Sequence, residues 1–233
     1  MTGEHSSKQY DMDLETIRSR VLQMGGLVES QFQDAIKSFR TGDNGLAQQV
    51  IKGDEQVNRL EVMLDDTCNH LIVKRQPAAN DLRMVMSTVK VITDLERIGD
   101  EAVKIARVAS GANERSTSGL VNQSELVRVI AGRAAELLHE ALDAFARKDE
   151  KQATRLIAKD AVIDHEYGIL MRSLITFMME DPRTISVALD TMWVAKAIER
   201  IGDHAKNIAE YVIYVVEGKD IRHSDYVATK LEQ

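Results

Sequence analysis

Glu96-Arg97-Ile98-Gly99-Asp100 returns letter for letter as Glu199-Arg200-Ile201-Gly202-Asp203, 103 positions later. Five identical letters, two of them carboxylates, point to an internal repeat. The flanks agree: Leu95 falls on Ile198 and Ile105 on Ile208. Further upstream the offset becomes 106, where Asp34 to Phe39 lies over Glu140 to Phe145, Gly26 over Gly132, Ile51 over Ile157 and Asp54 over Asp160. The three-residue difference belongs in the turns near Pro77 and Pro182, because loops absorb length changes that helices do not. The chain therefore reads as one unit used twice.

Each unit reads as three helices. Leu14, Ile17, Val21, Met24, Val28 and Ala35 form a heptad-like apolar stripe over a first helix at about 11–40. Gly42 to Gly45 breaks it, and a second helix runs over about 45–75. Gln76-Pro77 ends that helix, since a residue before proline avoids the helical region. A third runs over about 81–110. Gly111 to Gly119 is a linker by composition. The pattern repeats over about 122–147, 150–180 and 183–217, with Asp181-Pro182 as a cap and first-position signal. The expected fold is all-α: two tandem, pseudo-symmetric antiparallel three-helix bundles over 11–111 and 120–217, then a tail over 218–233.

On a helical wheel, Arg83, Ser87, Lys90, Asp94, Arg97, Glu101 and Lys104 share an arc that reads as a solvated face with supporting charge pairs. Glu96 falls on the opposite, apolar side among Val89, Ile92 and Val103, with Asp100 one turn on at its flank. Glu199 lines up likewise with Ala188, Met192 and Ala195, followed by Asp203. A carboxylate on a core-facing stripe costs several kcal/mol to desolvate unless paired or bound to a metal. Two at equivalent places call for a shared reason. Gly99 and Gly202 each cost about 1 kcal/mol against alanine in mid-helix, and the missing side chain admits a neighbouring helix or an ion. The middle helices add Asp160 and Asp164, four apart, against Asp54 and Asn58 with Glu61 one turn beyond. Such clusters repel themselves and invite a cation. All-oxygen ligation favours magnesium, manganese, calcium or iron. The competing reading is an ion-pair seam, with Asp54 and Asp160 solvated or paired with Arg97 and Arg200.

The remaining composition narrows the function. A net charge of −7, with 44% hydrophobic and 29% charged residues, lacks the basic surplus of a nucleic-acid-binding domain. One cysteine, Cys68, excludes an intrachain disulfide and a Cys-rich zinc site, and reads as a small buried hydrophobe in a reducing cytoplasm. The start of the chain lacks signal-peptide character, and no apolar run spans a membrane. Tyr211 to Val216 reads as the end of a buried helix, with contact at a membrane surface left open.

The doubled Glu-Arg-Ile-Gly-Asp resembles the PhoU family of phosphate-signalling proteins, as do Lys74-Arg75-Gln76-Pro77, Leu142-Asp143-Ala144-Phe145-Ala146-Arg147, Met178-Met179-Glu180-Asp181 and Arg222-His223. The resemblance covers roughly residues 10–225. It implies two three-helix bundles, a homodimer, and multinuclear iron or zinc clusters on Glu/Asp-x-x-x-Asp motifs. Carried over, the metal residues are Glu96, Asp100, Glu199 and Asp203, with Asp160 and Asp164 from the neighbouring helix. Asn58 departs from the acidic pattern beside Asp54, so the first-half site is weaker or uses Glu61. The implied role is a non-catalytic, cytoplasmic negative regulator of the phosphate regulon. It would couple a phosphate ABC transporter ATPase to a sensor histidine kinase and meet the membrane only through those partners.

Two other classes remain open. A carboxylate-bridged di-iron oxidase needs Glu-x-x-His on two facing helices. Here Glu136 and His139 form a single instance whose counterparts are Ser30 and Gln33. His70, His165, His204 and His223 show no ligand spacing, and neither a Gly-rich phosphate loop nor a nucleophile elbow is present. A purely structural helical scaffold, which would purify without stoichiometric metal, is the third reading. As an adaptor, the repeat would offer two similar surfaces to two partners.

Overall fold

The computed structural model describes residues 2–111 and 121–221, with side chains described for 8–111 and 125–221. Six α-helices follow one another: α1 (Thr2–Thr41), α2 (Asn44–Arg75), α3 (Asn80–Gly111), α4 (Val121–Arg147), α5 (Glu150–Glu180) and α6 (Ile185–Glu217). Among the described residues there is no strand. The helix α1 begins at Thr2, well before the expected 11, because the polar residues preceding the apolar stripe contain no proline to stop it. All but Gly111 of the expected linker, and the tail beyond Ile221 with Arg222 and His223, lie outside the described residues.

The repeat extends to the helix ends. Asp43 caps α2 by accepting from the Leu46 amide at 2.9 Å, and Asp149 caps α5 by accepting from the Gln152 amide at 3.0 Å. Each cap follows a left-handed residue, Gly42 (φ 67°) in the first half and Lys148 (φ 55°) in the second. At the α5–α6 corner, Asp181 accepts from the Arg183 amide at 3.0 Å, and Pro182–Thr184 forms a 3-10 turn before α6. The counterpart corner is looser: α2 ends on left-handed Gln76, and α3 starts after left-handed Ala79.

The third helices are central. In the first half α3 packs on α1 and α2, and in the second α6 packs on α4 and α5. The two halves then join through α3 on α6 and α1 on α4, giving one continuous apolar core. Gly25 of α1 allows the close approach of α4: a methyl group there would lie 2.8 Å from Leu142 Cδ1.

This junction overturns the reading of one arc of α3 as solvated. Ser87, Asp94 and Glu101 are buried. Asp94 pairs with His204 Nδ1 at 2.6 Å and accepts from Asn207 Nδ2 at 3.1 Å. Glu101 lies 2.8 Å from Arg200 Nε and accepts from Lys104 Nζ at 2.8 Å. Lys90 Nζ stands 5.4 Å from the Tyr211 ring and Arg83 5.6 Å from that of Tyr214. Residue numbers rise along α3 as those of their partners fall along α6, so the two helices run antiparallel. Periodicity marked a polar stripe correctly. It could not reveal that another polar stripe would cover it.

Candidate metal centres

Each acidic cluster is built across two antiparallel helices. In the first half α2 brings Asp54 and Glu61 to α3, which presents Glu96 and Asp100. In the second, α5 brings Asp160 and Asp164 to α6, which presents Glu199 and Asp203. The inward orientation expected of the motif glutamates holds. Glu96 and Glu199 side chains are only 16% and 14% exposed, and Asp160 only 3%.

The second half gathers its ligands more closely. Asp164, Glu199 and Asp203 can place one carboxylate oxygen each within 4.8 Å of one another, a group that no first-half residues match among those described. Two lysines hold it together: Lys196 Nζ donates to Glu199 Oε2 at 2.6 Å, and Lys206 Nζ donates to Asp160 Oδ2 at 2.9 Å. Burial, then Glu199, Asp160 and Asp164, pushes the Asp203 carboxyl up from 3.8 to about 6. Burial and then Asp160 raise Asp164 as well.

The first half has no such lysines. At the positions of Lys196 and Lys206 stand Thr93 and Val103. Asn58, the counterpart of Asp164, donates to Asp54 Oδ2 at 3.3 Å. Glu61 occupies the position of Tyr167 and restores the carboxylate count. Burial raises Asp54, with Asp100 the next cause, and raises Glu61, with Glu96 next. Burial and then Asp100 raise Glu96. The cation nearest this cluster is Arg97 on the same helix as Glu96 and Asp100, in place of the lysines of the second half.

The alternative pairing through Arg97 and Arg200 is not what the structure contains. Arg97 lies 3.4 Å from Glu96 and 3.7 Å from Asp100, while Arg200 reaches Glu101 across the junction. Asp160 is ion-paired, but with Lys206.

The donor set fits a hard cation. Buried, unpartnered side-chain oxygens include Asp54 Oδ1, Asp65 Oδ1 and Gln31 Oε1, from α1 and α2, and Glu96 Oε2 of α3 accepts no hydrogen bond, its nearest cation being Arg97 Nε at 3.4 Å. Acceptors left without donors cost about 1–3 kcal/mol each, which a cation relieves. The glycines leave space beside them. A methyl group on Gly99 would lie 3.3 Å from Asp54 Oδ1 and 3.4 Å from Gln31 Oε1, and one on Gly202 would lie 3.2 Å from Ile163 Cδ1 and 3.6 Å from Asp160 Oδ1.

Sequence reading missed four of these residues. Asp65 repeats the four-residue spacing from Glu61, and Gln31 fills the one gap in the 14, 17, 21, 24, 28, 35 stripe. Lys196 precedes Glu199 by three residues and Lys206 follows Asp203 by three, the one signal in the sequence that places them on the carboxylate face of α6. The Glu-x-x-His instance is dispersed: His139 pairs with Glu29 at 2.9 Å on the surface, while Glu136 is 4.0 Å from Lys159. Cys68 is buried, which pushes its thiol up to about 11. No described helix is long and apolar enough to cross a membrane.

Comparison with known proteins agrees with the duplication. The family model described as PhoU domain matches twice, over residues 21–109 and 127–212. The chain is 47% identical over 230 residues to the "Phosphate-specific transport system accessory protein PhoU homolog" of Pseudomonas aeruginosa, covering 98% of this chain and 93% of that protein. The crystal structure of PhoU from Pseudomonas aeruginosa superposes with a TM-score of 0.87 at 47% identity, covering 90% of this chain and 100% of the other. That of the phosphate transport system regulatory protein PhoU from Streptococcus pneumoniae gives 0.83 at 26% identity, covering 91% of this chain and 98% of the other. With its acidic helix motif doubled, its two matched repeats and its near-complete overlap with these proteins, the chain belongs to the PhoU family.

Proposed function

We propose that this protein is a non-catalytic accessory regulator of phosphate transport that binds divalent cations through its two acidic clusters. It acts in the cytoplasm as a negative regulator, coupling a phosphate ABC transporter ATPase to a sensor histidine kinase, and works as a homodimer. Two observations support the cation-binding part: the buried, unpartnered Asp54 Oδ1 and Gln31 Oε1 beside Gly99 in the first half, and the Asp164, Glu199 and Asp203 carboxylate oxygens within 4.8 Å of one another in the second. Asp54, Glu61, Glu96 and Asp100 would hold a cation in the first half, and Asp160, Asp164, Glu199 and Asp203 in the second. A hard cation such as manganese, magnesium or iron suits these all-oxygen sites better than zinc. Bound there, it supplies positive charge that ties α2 to α3 and α5 to α6. No catalytic step is required.

The adaptor role draws support from a second repetition. Exposed apolar residues recur at equivalent positions: Val73 and Met179 near the ends of the second helices, Leu82 and Ile185, and Met86 and Leu189 at the starts of the third. Exposed apolar groups rimmed by polar ones mark interaction surfaces. The test is capture from membranes containing both the transporter and the kinase. Met86→Glu and Leu189→Glu should each weaken capture of one partner at least severalfold. Full retention of both partners by the double variant would remove these surfaces from the account. Elemental analysis of chelator-free protein tests the cations separately, and protein lacking stoichiometric metal would refute that part.

A further inference from the structure

We propose that Gln31 of α1 supplies a neutral oxygen ligand to the first-half cation site, so that the two repeated sites differ in kind. This rests on the reading of the acidic clusters as cation sites. Gln31 interrupts the apolar stripe of α1 and is 9% exposed, yet its Oε1 has no hydrogen-bond partner. A methyl group on Gly99 would lie 3.4 Å from that oxygen and 3.3 Å from the equally unpartnered Asp54 Oδ1. Two acceptors directed at one side-chain-free stretch of helix have no mutual attraction. A cation between them satisfies both. Amide oxygens are ordinary ligands of hard cations.

The second half has a different arrangement. Leu137, 2% exposed, stands where the repeat places Gln31. The space beside Gly202 is bordered by Ile163 Cδ1 and Asp160 rather than by an amide. Asp160 and Glu199 already hold Lys206 and Lys196. A cation entering the second site must displace ammonium groups hydrogen-bonded to its ligands at 2.6 and 2.9 Å, whereas one entering the first meets no lysine and only the half-exposed Arg97, at the longer distances of 3.4 Å from Glu96 and 3.7 Å from Asp100. The first site thus draws on three helices and four carboxylates plus an amide. The second draws on two helices and carries two competing ammoniums. The first site fills at lower cation concentration.

The experiment is calorimetric titration of full-length, chelator-stripped protein with manganese(II), in a Glu199→Gln/Asp203→Asn background that disables the second site. Gln31→Leu, which installs the second half's own residue, should weaken manganese binding about tenfold. It should also raise the melting temperature of the metal-free protein, because an unpartnered buried amide oxygen is lost. An unchanged manganese Kd in Gln31→Leu overturns the proposal. So does a lower metal-free melting temperature with an unchanged Kd, which identifies Gln31 as a hydrogen-bond donor to Asp54. If the unsubstituted protein takes up no manganese, the cation reading itself falls. If it binds manganese and Gln31→Leu binds equally well, only the role of Gln31 falls.

Discussion

Glu199 and Asp203 carry opposite consequences for stability and for binding. Replacing both by alanine should remove second-site metal, read by elemental analysis, while the helical circular dichroism signal is retained. Burial and the neighbouring Glu199, Asp160 and Asp164 already disfavour the Asp203 carboxylate, and the apolar core lies elsewhere, so the bundle stays folded. Unchanged metal content would overturn the assignment. Asp203 also gives a pH dependence to the metal-free protein. Its carboxyl is raised to about 6 from 3.8, so between these values the folded chain keeps a proton that the unfolded chain has released. Stability therefore falls as pH rises through that window, by about 1 kcal/mol once partial solvent screening is allowed for. Urea midpoints at pH 4 and pH 7 in the presence of chelator measure it, and Asp203→Asn should reduce the difference. Gly99→Ala separates packing from binding. The helix gains about 1 kcal/mol of propensity, but the added methyl crowds Asp54 and Gln31 at 3.3 and 3.4 Å. First-site manganese affinity should drop at least severalfold by calorimetry.

Among the elements, the turn before α5 is less well adapted than its counterpart before α2. Lys148 adopts the left-handed backbone that Gly42 adopts in the first half. A side chain there costs about 1–2 kcal/mol, part of which glycine returns through greater freedom in the unfolded chain. Lys148→Gly should raise stability by about 0.5–1 kcal/mol in urea denaturation, and a loss of stability would show that the lysine makes a compensating contact. The α3–α6 seam is the other element-level feature. Asp94→Ala leaves His204 and Asn207 without their shared acceptor in a buried setting, and should cost about 1–3 kcal/mol. The same denaturation experiment reads it.

For the whole molecule, the apolar core runs without a break from one repeat to the other through α3 and α6. Two independent bundles would melt separately. A shared core predicts one calorimetric transition whose van't Hoff and calorimetric enthalpies agree, and two resolved transitions would count against it. Glu96 and Asp100 lie on α3 and Glu199 and Asp203 on α6, the helices that join the halves. Arg97 and Arg200, at equivalent positions of the repeat, differ at this junction. One faces the acidic pair of its own helix, while its repeat counterpart reaches Glu101 in the other half.

The duplication, the six helices and the inward glutamates were legible from Glu96-Arg97-Ile98-Gly99-Asp100 and its copy, because helical periodicity and repetition are properties of one strand of chain. Asp181 and the Gly42–Gly45 break marked the corners for the same local reason. The burial of Asp94 and Glu101, the reach of Lys206 across to Asp160 and the approach of Gln31 to Asp54 were not legible. Each depends on which helix covers which face, and a wheel drawn for one helix contains no information about its neighbour. Identical motifs therefore sit in unlike surroundings. Repetition set the carboxylates in place twice, and tertiary packing gave one set an amide and the other two ammonium groups.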